Sequence, residues 1–145
     1  MTFSSDFRGV MARLGYAGLI PFYLFAVFAF SPLSYLQEYA PQSFVVYSLA
    51  ILSFLAGSLW GSSNVRSGAD KIHRLIASNA FTVAGAFAVI MAGPLMAVAL
   101  LAALHLLLLG YEARSPSAAW YLSMRKRLTW LSMPAYVILA GSQIA

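Results

Sequence analysis

The run LIASNAFTVAGAFAVIMAGPLMAVALLAALHLLLLGY, residues 75–111, decides the fold. It holds 37 consecutive uncharged positions. As one helix rising ~1.5 Å per residue it would reach roughly 55 Å, nearly twice the ~30 Å hydrocarbon core of a bilayer. The run therefore has to turn back on itself. Gly93-Pro94 lies at its middle, where a permissive residue and one without an N–H favour a tight turn. The reading is a helical hairpin with spans at 73–91 and 95–112.

Working outward, charges divide the remaining chain into three more uncharged runs, Leu14–Gln37, Tyr39–Val65 and Leu128–Ala145. Each is long enough for a span of roughly 20 residues, giving further spans at 14–31, 42–61 and 128–144. The expected fold is an all-α bundle of five transmembrane helices in a single membrane domain, residues 1–145, with short connections at 32–41 and 92–94.

The basic residues test that count independently, because Lys and Arg collect in cytoplasmic loops. Arg8 and Arg13 precede the first span, Arg66, Lys71 and Arg74 separate the second and third, and Arg114, Arg125, Lys126 and Arg127 separate the fourth and fifth. Five spans put all nine Lys and Arg on one side. A single span at 75–111 would send the Arg125–Arg127 cluster to the other. The expected topology is N-terminus inside and C-terminus outside, in the inner (plasma) membrane of a bacterium. The first span has a basic leader but is too long for a signal-peptide core and lacks an A-x-A-like site, so it reads as an uncleaved anchor.

Composition agrees. The chain is 61% hydrophobic and 9% charged, against about 45–50% and about 25% in soluble proteins. A water-soluble enzyme is excluded on that ground. The absence of cysteine removes disulfides, thiolate nucleophiles and Cys-built metal sites. The net charge of +5 reads as topology and lipid contact, and no nucleic-acid partner is expected. Arg125, Lys126 and Arg127 are assigned to lipid headgroups, which attract basic residues near a membrane surface.

Polar side chains inside hydrocarbon are the functional candidates. Val98, Leu101, His105, Leu108 and Glu112 share one helical stripe. Its His and carboxylate could relay a proton or grip a polar ligand, or simply bond a neighbouring helix and the headgroups. Asn79 and Trp60 complete the candidate polar site. His73 is the only other histidine and lies about two turns shallower than His105, a poor level for bis-His haem. No cofactor, metal or catalytic residue is expected. In the second span Ser53, Gly57 and Gly61 form a small-residue face suited to helix packing. Five spans, an odd number, argue against the paired inverted halves of standard transporters, and no H-E-x-x-H, G-x-S-x-G or phosphate loop occurs.

LGYAGLIPFYLFAV in the first span, ILSFLAGSLWG in the second and WYLSMRKRLTW before the fifth together resemble the family called domain of unknown function 3429, over nearly the whole chain. That family includes the mitochondrial transmembrane protein 69 and many proteobacterial inner-membrane proteins. Gly57, Trp60 and Gly61 carry the most specific part. Ala56-Gly57 stands where the family pattern has a Gly pair. The resemblance implies a small multi-helix inner-membrane protein without established activity, so no site residue carries over.

Two functions follow as expectations. The first is a non-enzymatic accessory, assembly or interaction subunit packing against lipids, other membrane-protein subunits or a second copy. The alternative is a minimal carrier or proton-linked small-molecule-binding protein with a pocket around His105.

Overall fold

The computed structural model describes residues 2–145. Its elements are α1 (Thr2–Ala17), α2 (Ile20–Phe28), α3 (Ser34–Ser63), α4 (Gly68–Met91), α5 (Pro94–Arg114) and α6 (Ala119–Ile144), with no strand among the described residues.

The hairpin lies where the central run requires it. α4 ends at Met91, Ala92 and Gly93 are extended, and Pro94 opens α5. Pro at the first helical position loses nothing, since its N–H would be unpaired there.

α1 and α2 form one interrupted rod in place of a single first span. Pro21 has no N–H for the Ala17 carbonyl, and its ring crowds that oxygen. The chain answers with a turn in which the Gly18 and Leu19 amides bond the Leu14 and Tyr16 carbonyls at 3.0 Å each. Leu19 keeps a right-handed helical conformation, and residues 6–28 remain long and apolar enough to cross a membrane.

The connection expected at 32–41 is shorter, because α3 starts at Ser34 and runs through Pro41. Pro41 removes one ladder bond, to the Gln37 carbonyl. In membrane helices packing against neighbours offsets such a loss, and here Ala40, Pro41, Phe44 and Val45 are all buried.

Four stretches are long and apolar enough to cross a membrane: Asp6–Phe28, α3, α4 and α5. α6 is the fifth rod. Its 26 residues suffice in length, but Arg125, Lys126, Arg127, Thr129, Ser132 and Gln143 make it more polar than the others. Exposed Phe54, Ile90, Met91 and Val137 form a surface unsuited to water, and the chain is a multi-pass membrane protein.

The rods alternate in direction, and contacts tie the basic segments together at one end. The Arg8 guanidinium lies 5.0 Å from the Trp120 ring centroid, and Arg66 and Arg74 both donate to the Pro116 carbonyl. Asp70 lies 3.8 Å from Arg66 Nη1 and 3.5 Å from Arg74 Nε, while Arg74 Nη1 donates to Ser62 Oγ at 3.0 Å. Arg74 is buried, so the linkers on either side of the central hairpin are clamped by it.

The close approach of α3 and α4 is not made by the Gly57–Gly61 face. A Cβ at either glycine would meet nothing within 4 Å, whereas one at Gly85 would lie 2.8 Å from Leu52 Cδ2 and 2.9 Å from Leu49 Cδ1. The buried face of α3 is instead Phe44, Ser48, Leu52, Ala56, Leu59 and Ser63, with Ser53 half-buried at its edge. Large side chains on α3 interlock with the missing side chain on α4.

Candidate functional site

The α5 stripe is buried along its length: Val98, Leu101, His105, Leu108 and Glu112. His105 meets α3 through Ser48. Its Nε2 lies 3.3 Å from the Ser48 carbonyl oxygen and 3.4 Å from Ser48 Oγ. A carbonyl only accepts, so the first bond requires a proton on Nε2. Ser48 Oγ in turn bonds the Tyr136 hydroxyl of α6, making a buried chain across three helices. Phe22 of α2 packs beside it, with ring centroids 5.5 Å from Tyr136 and 6.4 Å from His105, and Phe44 stands edge-on to Tyr136 at 4.9 Å.

About two turns along α5, Glu112 accepts from Arg125 of α6. Nε donates to Oε2 at 2.9 Å, and Nη2 lies 2.8 Å from the same oxygen without a well-aligned hydrogen bond. Glu112 is 2% exposed and Arg125 3%. Arg125 is therefore not a headgroup residue, and only Lys126 and Arg127 of that triplet point outward. The cause is register. At 3.6 residues per turn Arg125 shares a face with Thr129 and Ser132, both buried. Arg125 Nη1 reaches Thr129 Oγ1 at 3.4 Å, and the Tyr121 hydroxyl donates to Glu112 Oε1 at 3.4 Å.

These two polar groups border a partly open cavity of about 470 Å³ lined by α1, α2, α3 and α6, with His105 the lining residue from α5. Met11, Leu14, Leu19, Phe22, Ile51 and Leu55 supply apolar wall. The polar lining is His105, Ser58, Tyr121, Arg125, Thr129 and Ser132.

Two sequence-level candidates fall outside this arrangement. Asn79 is exposed and donates to its own helix at the Leu75 carbonyl, 2.9 Å away. Trp60 is 53% exposed on the outer face of α3, beside Gly57 and Gly61. Ser48, Ser58, Tyr121, Thr129, Ser132 and Tyr136 were missed. Hydroxyls are common in membrane helices, and only their spacing carries a signal: Arg125, Thr129, Ser132 and Tyr136 recur at three to four residues.

A family model spans residues 8–141, from the residue stacked on Trp120 to the last turns of α6. The chain belongs to the family described as protein of unknown function DUF3429. No curated protein and no solved structure matches the sequence. In this DUF3429 protein the match takes in every residue of the two buried polar groups and nearly all of the cavity wall.

Proposed function

We propose that this DUF3429 protein is a non-enzymatic, multi-pass protein of the bacterial inner membrane that holds a small amphiphile in the cavity beside His105. The N-terminus and basic end face the cytoplasm, in keeping with the positive-inside rule. The observation that carries the reading is the cavity itself. Its volume falls in the ~300–1,000 Å³ range of small-molecule sites, and such sites combine apolar walls with a few placed polar groups. An intramembrane cavity of this kind selects a guest that is mostly hydrocarbon with one polar end.

The test is direct. Purified protein is extracted with organic solvent and the extract analysed by mass spectrometry, beside a Ser58→Phe variant whose ring occupies the cavity. A stoichiometric amphiphile retained by the unaltered protein and lost from the variant is the expected result. Equal, non-stoichiometric lipid in both overturns the reading.

The accessory-subunit role draws on a separate observation, the open outer face at Gly57 and Gly61, where a helix of another membrane protein could approach closely. Purification from native membranes in mild detergent tests it. Migration as a lone monomer with no co-purifying subunit counts against it.

A further inference from the structure

We infer that the polar end of the guest is an uncharged hydroxyl that donates its proton to Nδ1 of His105. This rests on the binding reading above and adds the chemistry of the guest. The bonds of His105 decide which nitrogen can receive it. Nε2 faces α3, 3.3 Å from the Ser48 carbonyl oxygen and 3.4 Å from Ser48 Oγ, so the ring's proton sits there. The ring lies in hydrocarbon, and the nearest carboxylate along α5, Glu112, is already committed to Arg125. A second, unbalanced charge is strongly unfavourable in such a place, so the imidazole is neutral and Nδ1 carries a lone pair. No group among the described residues donates to Nδ1. Nor is Nδ1 sealed off, since the unpaired side-chain atoms shut away from any probe are Arg74 Nε and Arg125 Nη2. His105 is 4% exposed and lines the cavity, so the free acceptor opens there.

The rest of the lining has few donors left to compete. Ser58 Oγ donates to the Leu55 carbonyl at 2.6 Å, Ser132 Oγ to the Thr129 carbonyl at 2.7 Å, and the Tyr121 hydroxyl to Glu112 Oε1 at 3.4 Å. Arg125 is held by Glu112 at 2.9 and 2.8 Å and reaches Thr129 Oγ1 at 3.4 Å. What the cavity offers a guest is chiefly lone pairs, on His105 and on the two serine hydroxyls. An acceptor left unpaired in a buried site costs free energy that a donor recovers. An ether, a carbonyl or a carboxylate brings no proton, and an ammonium brings another positive charge toward Arg125. A hydroxyl on an apolar body meets both conditions. Straight-chain alcohols and isoprenoid alcohols are two membrane-soluble sources of that chemistry.

The experiment uses the full chain in phosphatidylcholine nanodiscs, whose headgroup carries no hydroxyl. Equilibrium binding of radiolabelled hexadecanol, geranylgeraniol, the methyl ether of each, and hexadecane is measured. At least one alcohol is expected to bind about tenfold more tightly than its own ether, the usual effect of leaving one buried acceptor unpaired. The better alcohol identifies a straight-chain or an isoprenoid source. In His105→Leu the advantage of alcohol over ether disappears while hexadecane binding persists. A second readout needs no change at the site. In a His73→Gln chain made with isotope-labelled histidine, His105 is the one histidine left, and nitrogen NMR follows its ring directly. The alcohol, and not its ether, should move the Nδ1 resonance toward the protonated range. Alcohols binding no better than their ethers, an Nδ1 resonance that stays still, or an alcohol advantage that survives His105→Leu overturns the inference while leaving the cavity reading intact. If no probe binds, hexadecane included, and Ser58→Phe changes nothing, the cavity reading fails with it.

Discussion

Replacing Glu112 by Met removes the counter-charge of a guanidinium that is only 3% exposed. Arg125 loses its Nε acceptor at 2.9 Å and the opposing charge at 2.8 Å, and Tyr121 loses its acceptor at 3.4 Å. Breaking one side of a buried pair typically costs about 3–5 kcal/mol, because the surviving charge stays buried. At roughly 2–4 °C per kcal/mol for a chain near this size, melting should fall by roughly 6–20 °C. Arg125→Met should cost a similar amount, leaving a bare carboxylate. Exchanging both for Met removes two desolvation penalties together with one attraction, so the double variant should be more stable than either single one. Circular dichroism in detergent micelles, followed against temperature and against rising SDS fraction, measures all three. Singles indistinguishable from the unaltered protein, or a double variant whose loss is the sum of the two singles, would refute the reasoning that burial makes this pair interdependent.

Other consequences can be checked alongside. Gly85→Val forces a side chain against Leu49 and Leu52 and should cost about 1–3 kcal/mol, whereas Gly57→Ala, with open space around it, should be neutral or gain up to about 1 kcal/mol of helix propensity; parallel unfolding curves compare them. The natural sequence contains no cysteine, so single cysteines at Ser67 and Ser117 should react with an impermeant maleimide from one side of sealed vesicles and at Ser31 and Gly93 from the other; labelling of Ser67 and Gly93 from the same side would refute the alternating arrangement.

The architecture was legible wherever a single helix had to obey a bilayer length or a 3.6-residue period. The turn at Gly93-Pro94 and the buried stripe from Val98 to Glu112 needed no knowledge of partners. What failed was the choice between faces that are equally apolar. Gly57 and Gly61 look like packing residues, yet a small-residue face is buried only if a neighbour chooses it, and on α4 Gly85 holds that role. Arg125 failed for a related reason. In the triplet Arg125-Lys126-Arg127 the three residues are chemically alike, and only a carboxylate on α5 at the matching level distinguishes the one drawn inward. Asn79 illustrates the opposite error, since a membrane-helix amide can satisfy itself on the preceding turn and needs no other helix.

The interruption at Gly18–Leu19 bears on timing. α1 forms one wall of the cavity, and the turn forced by Pro21 uncouples its ladder of hydrogen bonds from that of α2. Its contacts with α6 include the Arg8–Trp120 stack and the seat of Gly15 against Leu128. Segments with few buried contacts open with less free energy than the whole molecule. For a guest held as proposed, which would rest against α1, amide exchange along residues 6–17 should be slower when the cavity is filled than when it is empty.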